Sequence, residues 1–110
     1  MATTKQFLDY LYDQLAALPE VTHRAMMGEY VLYYRGKVIG VVCDNCLYIK
    51  PVPSACAMAP DTPLAPPYPG ARPMLPVARI DDAGYLCALF AAAFPELPTP
   101  KPKRRRRREI

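Results

Sequence analysis

The chain has 110 residues, 52% of them hydrophobic and 22% charged, with 14 prolines and a formal net charge of +4 at pH 7. That length holds one core and excludes a multi-domain architecture, while the composition is globular, with the prolines marking extended, irregular stretches. No apolar run nears the roughly 18 to 20 residues that span a bilayer, and Met1 to Asp9 lacks the basic start and apolar run of a signal peptide, so a cytoplasmic protein without membrane contact is expected.

Thr3 and Gln6 have capping-box spacing, and Phe7, Leu8, Leu11, Leu15 and Leu18 recur at three- and four-residue intervals. This predicts a first helix that ends before Pro19, with one apolar stripe for packing and no chemistry of its own. Val21 to Met27 follows as a leading strand, with Met26 and Met27 expected as core filler. His23 is the only histidine. With no cluster of ligand residues beside it in sequence, it is expected to be structural and not a ligand or base.

From Met26 to Lys50 the chain reads as three consecutive strands with two tight turns. Val31, Leu32, Val38, Ile39, Val41, Val42, Leu47 and Ile49, with Tyr30, Tyr33, Tyr34 and Tyr48, suit a pleated, half-buried surface. Arg35-Gly36 supplies a residue that tolerates positive φ at the first reversal, and Asp44-Asn45 does the same at the next. Such a meander is marginal alone, so helices must cover it. The expected class is α+β in two layers: an antiparallel sheet of four to five strands built on the meander, covered by N- and C-terminal helices. Glu29 with Lys37 or Lys50 is expected to form an exposed cross-strand pair.

Pro51 to Pro76 carries most of the prolines, with a helical turn predicted at Ser54 to Met58 and an extended surface loop at Asp61 to Pro73. Tyr68, Gly70 and Arg72 form a candidate interaction loop. Pro-Gly gives a turn there, and an aromatic ring and a guanidinium could flank one pocket for an anion or an acidic partner. The alternative is that Tyr68 and the prolines simply pack over the sheet edge. Met74, Leu75, Val77 and Ile80 predict a further strand that pairs with the meander or extends it. Asp81-Asp82 then caps a last helix, Ala83 to Phe94, with Leu86, Leu89, Phe90, Ala93 and Phe94 on its apolar face and Pro95 and Pro98 closing it.

Residues 101–110 read as a disordered basic tail. Lys101, Lys103, Arg104, Arg105, Arg106, Arg107 and Arg108 stand there against Glu109 alone, leaving residues 1–100 with 7 basic and 9 acidic groups, a net charge of −2. Polyanion affinity is therefore expected in the tail and not in the slightly acidic body.

Met26, Met27, Gly28 and Tyr30, followed by Tyr33, Gly36, Lys37, Gly40, Leu47, Tyr48, Lys50 and Pro51, carry a family resemblance. The chain resembles the N-terminal domain of the TfoX/Sxy competence-regulator family. That family's arginine-methionine-glycine opening, Gly-Lys hairpin and leucine-tyrosine-leucine-lysine strand end are matched by Arg24 to Gly28, Gly36-Lys37 and Leu47 to Lys50. Pro66-Pro67-Tyr68-Pro69-Gly70-Ala71-Arg72-Pro73 is similar to the Pro-Pro-Tyr-Pro-Gly-Ala-Lys-Pro segment of short members, with arginine for lysine. The resemblance covers most of residues 5–100 and makes 1–100 a TfoX N-terminal-like domain. It implies a two-layer α+β fold and, from the family's role in regulating DNA-uptake genes, a regulatory function. The second, helical domain of longer members is expected to be missing. No catalytic residue set comes with it.

Cys43 and Cys46 have CxxC spacing, which can share a metal or form a reversible disulfide. They bracket a strand-to-strand turn and not a helix N-terminus, and Cys56, Cys87 and His23 are scattered. Two ordinary cytosolic thiols are therefore expected, with a labile disulfide or a metal site as the alternatives. No cofactor is expected, and no HExxH, GxSxG or phosphate-cradling glycine run is present in the sequence. The leading expectation is a non-enzymatic regulatory or protein-binding module that meets an unknown protein partner through its sheet edge or proline-rich loop, as a monomer or an edge-strand dimer. The alternative is weak, non-specific nucleic-acid association through the Arg-rich tail. Deleting residues 101–110 is expected to abolish retention on DNA or RNA at low salt; retention by the truncated chain would reveal a binding face on the acidic body.

Overall fold

The computed structural model describes residues 3–26 and 28–98. Its elements run α1 (Lys5–Gln14), β1 (Val21–Met26), β2 (Glu29–Tyr34), β3 (Lys37–Cys43), β4 (Cys46–Ile49), α2 (Pro53–Ala57), β5 (Leu75–Val77) and α3 (Ala83–Ala93), with a closing 3-10 turn at Phe94–Glu96. The five strands form one antiparallel sheet in sequence order, the α+β meander expected from the residue pattern. Both reversals use left-handed residues: φ is +52° at Arg35 and +85° at Gly36, then +52° at Asp44 and +56° at Asn45. Positive φ at both central positions is the type I′ arrangement, whose twist matches that of the strands it joins. Arg35 has no special tolerance for that conformation, and its cost of about 1–2 kcal/mol is offset by two contacts. Its amide donates to the Glu20 carbonyl at 2.9 Å and its guanidinium lies 5.1 Å from the Phe94 ring centre.

Strand register sorts the side chains into two faces. Leu32, Val42, Leu47, Ile49 and Leu75 share one face and are buried. Against them pack Leu8 and Leu11 of α1, Leu15 at its C-cap, Ala55 of α2, and Leu86, Leu89, Phe90 and Ala93 of α3. Fully burying each large apolar side chain contributes about 1.5–3 kcal/mol. The opposite face carries Thr22, Arg24, Val31, Tyr33, Val41 and Tyr48, which are exposed or only half-buried. The helices thus cover one side of the sheet.

Several details differ from the sequence expectation, each for a physical reason. The N-cap of α1 is Thr4, whose hydroxyl accepts from the Phe7 amide at 3.2 Å. Thr3 is drawn instead to the Glu29 carboxylate, to which its hydroxyl donates at 2.6 Å, a charge-assisted bond stronger than an ordinary cap. For the same reason Glu29 pairs with neither Lys37 nor Lys50; the Lys37 ammonium sits 4.5 Å from the Phe94 ring centre. Met26 is 37% exposed and fills no core, because β1 is the sheet's edge and the helices pack farther in. Met27 and the tail lie outside the described residues. Ile80 falls beyond β5, where its carbonyl accepts from the Gln14 side-chain amide at 2.9 Å. Of the two aspartates before α3, Asp82 is the cap: its carboxylate accepts from the Tyr85 amide at 3.0 Å and from Arg79 at 2.8 Å. Those two bonds hold its carboxyl below the usual range.

Between Leu32↔Gly40 and Tyr33↔Val38 the β2–β3 register slips by one, leaving Ile39 as the extra residue of a β-bulge. Ile39 is fully buried, and its carbonyl accepts from the Lys50 amide at 2.9 Å. Beside it, Gly40 lets β4 come close: a Cβ there would collide with the Tyr48 carbonyl oxygen. Gly40→Ala is expected to destabilise the chain by about 1–3 kcal/mol, read as a lower urea midpoint. A midpoint equal to that of the parent would contradict this close approach.

Candidate functional site: a groove on the open face

Beyond Ile49 the chain continues in strand parity, so Lys50 falls on the same open face as Tyr48 and Val41. The bond from its amide to Ile39 fixes the strand end, and Val52 then donates to the Lys50 carbonyl at 2.8 Å as the chain turns into α2 at Pro53. The proline-rich return is closed at its base by two backbone bonds between Ala65 and Met74, both 2.9 Å. At its tip the Ala71 amide donates to the Tyr68 carbonyl at 3.1 Å, with Gly70 at φ +87°. Proline second and glycine third, with positive φ at the glycine, is the type II turn.

This construction brings Tyr68 and Arg72 together with Lys50. The three line a groove of about 390 Å³ whose other walls are Val41, Pro51, Pro67, Ala71, Pro73 and Met74. Gly70 does not line this groove, and the space beside it is open; its part is the turn's backbone conformation, at a φ that strains any side chain. The groove therefore combines an ammonium, a guanidinium, an exposed tyrosine and an apolar floor, with no carboxylate among its lining residues. Such a set can hold a carboxylate or another anion by charge-assisted hydrogen bonds, with apolar carbon packed against proline and valine. The sequence singles out Tyr68 and Arg72, which line this groove, but not Lys50 or Val41. The alternation Tyr48, Lys50 was the available signal, though only the strand register joins it to the loop.

Cys43 and Cys46 stand directly opposite each other across the Asp44-Asn45 turn; Cys43 is buried and Cys46 exposed, and both are free thiols. Burial pushes the Cys43 thiol up, with the charges of Glu29, Cys46 and Asp44 acting the same way, which disfavours the thiolate that metal binding or disulfide exchange requires. Among the described residues, no three His, Cys, Asp or Glu side chains gather as a metal site. His23 is held structurally. Its Nδ1 lies 2.7 Å from the Tyr12 hydroxyl, and its ring meets Tyr12 and Tyr30 edge-on at 5.5 and 5.3 Å. Burial raises the Tyr12 hydroxyl above its ordinary pKa, so it remains a neutral partner. The candidate nucleic-acid residues Lys101 to Arg108 lie outside the described residues.

One carboxylate ties the start of the chain to the Asp44-Asn45 turn. Glu29 Oε1 accepts from the Thr3 amide at 3.1 Å, the Thr3 hydroxyl and the Asp44 amide at 3.1 Å, while the Thr4 amide donates to the Asn45 side chain at 2.9 Å. Desolvation pushes the Glu29 carboxyl up, but these hydrogen bonds together outweigh it and hold the group below its ordinary range.

Residues 13–92 match the family model described as the TfoX N-terminal domain, a span that begins within α1, includes all five strands and the groove, and ends within α3. A protein of Spirochaeta aurantia, named as an uncharacterized 12.7 kDa protein in the trpE 5' region, is 30% identical over 105 residues, which span 94% of this chain and 91% of the relative. No solved structure gives a significant match. Among the described residues, no helix is long and apolar enough to cross a membrane.

The depressed Glu29 pKa has a definite sign. It stabilises the fold above the unfolded carboxylate pKa, and that contribution is lost as pH falls through the lower folded value. Glu29→Gln should therefore lower the denaturation midpoint at pH 7, and the gap to the parent should close on acidification below the usual carboxylate range. A gap of constant size between neutral and acid pH would contradict the clasp.

Proposed function

The chain belongs to the TfoX N-terminal domain family, and on that premise we propose that it is a non-enzymatic regulatory module that acts by binding an acidic segment of a partner protein in the groove beside Lys50, Tyr68 and Arg72. The observation that carries this reading is the pairing of two cations with an aromatic and an apolar floor, on a body whose overall charge is negative. A net −2 surface gives little general attraction for acidic partners, so the local excess of positive charge at the groove is selective. The groove's mixture also fits a peptide better than a bare ion: prolines, Val41 and Met74 offer contacts that a small anion would leave unused. A cytoplasmic site of action goes with this reading.

The second reading, weak nucleic-acid contact through Lys101 to Arg108, is favoured by the segregation of charge along the chain, and it is sequence-independent and strongly salt-sensitive. The two separate in one experiment. Affinity capture from cell extract with the full chain, and with a chain ending at Pro100, should retain the same acidic protein partner. Lys50→Glu or Arg72→Glu should each weaken that capture on the order of tenfold, as expected for loss of a hydrogen bond to a charged group. Capture unaffected by both reversals would contradict the groove; loss of every partner on removing the tail would favour nucleic acid instead.

A further inference from the structure

The sheet has two edges, and they are not alike. β5 is three residues long and contains Pro76, which has no N–H to offer a further strand. β1 is six residues long, contains no proline, pairs with β2 without a slip from Val21↔Tyr34 to Met26↔Glu29, and is exposed at every position but Val21. The bond from the Arg35 amide to the Glu20 carbonyl fixes which main-chain groups point where. Residue 20 turns toward β2, so by alternation Thr22, Arg24 and Met26 do too, and Val21, His23 and Ala25 direct their N–H and C=O groups outward. Among the described residues these outward groups have no hydrogen-bond partner.

From this edge we infer that the chain forms a two-fold dimer in which β1 pairs antiparallel with β1 of a second copy, in the register that sets Thr22 opposite Thr22. Charge selects a second copy as the occupant. Glu20, just before the strand, and Arg24, four residues on, are both exposed, and among the described residues neither is in an ion pair. A segment with an acid at one end and a base at the other is complementary to itself when reversed: Glu20, left-handed at φ +59° where the chain enters β1, stands at the end of the pairing, within side-chain reach of the partner's Arg24. An isologous interface makes that contact twice.

Backbone parity agrees. With Thr22 at the centre, Val21 faces the partner's His23, and both belong to the outward set, so these pairs exchange hydrogen bonds. The two Thr22 side chains then occupy a non-hydrogen-bonded site, with Cα atoms about 4.5 Å apart, where threonine pairs and opposite charges both stabilise a sheet. Centring on Arg24 would set two guanidiniums face to face. Centring on His23 would place Arg24 opposite threonine and leave Glu20 unmatched. The dimer joins the two sheets edge to edge and leaves both grooves open, because the grooves lie beside β3, β4 and the loop before β5.

Sedimentation of the full chain tests the inference. The parent should sediment as a dimer that weakens with added salt. Arg24→Glu and Glu20→Lys should each weaken self-association on the order of tenfold, since two symmetry-related pairs turn from attraction to repulsion. The double variant Glu20→Lys, Arg24→Glu should restore it. In a Cys46→Ser background, Thr22→Cys should yield a disulfide-linked dimer with oxidised glutathione, as the short Cα separation allows. A monomer at every concentration would overturn the inference. So would single reversals that leave the dimer intact, or a double reversal that stays monomeric.

Discussion

Leu32, Ile39, Val42, Leu47, Ile49 and Leu75 leave water together when α1 and α3 close on the sheet, and that one-sided burial is the constraint on which the remaining features depend. A five-stranded antiparallel sheet can be stable with only one face covered, provided that face is apolar and continuous. Here the strands are short and the helices few, so every strand must keep its register or turn its apolar set outward. The two I′ turns enforce that register locally, and the Glu29 clasp enforces it at long range by fastening Thr3 and the Asp44-Asn45 turn to the start of β2.

The uncovered face is the consequence. Val31, Tyr33, Val41 and Tyr48 are left half-exposed on it, and the proline-rich return crosses only one end, where Tyr68 and Arg72 meet Lys50. The bulge at Ile39 links the two halves of the molecule. It admits a buried side chain to the core while its carbonyl fixes the amide of a groove residue, so stability and the shape of the site are set by the same few atoms. Because β1 lies at the far edge, the proposed self-association there and the proposed binding in the groove would use different surfaces.

Local chemistry made much of this legible in the sequence. Gly36 and Asp44-Asn45 announced their turns through residues suited to positive φ, the leucine spacing announced α1 and α3, and proline-glycine announced the turn at Gly70. Features decided at long range were not legible. Capping-box spacing points to Thr3 until the Glu29 carboxylate, distant in sequence, claims it and leaves Thr4 as the cap. Met26 looks like core until the strand order makes β1 an edge. Gly40 resembles any strand glycine until Tyr48 is brought against it, and Lys50 resembles a solvated strand end until the loop folds back over it.

The central claim is that recognition takes place on the face the helices do not cover. Amide chemical-shift mapping during titration with a glutamate-rich peptide tests it most directly. The account predicts perturbations concentrated at Val41, Lys50, Tyr68, Ala71 and Arg72, with Leu11, Leu86 and Phe90 unmoved. Shifts confined to α1 and α3, or a spectrum unchanged at saturating peptide, would contradict it.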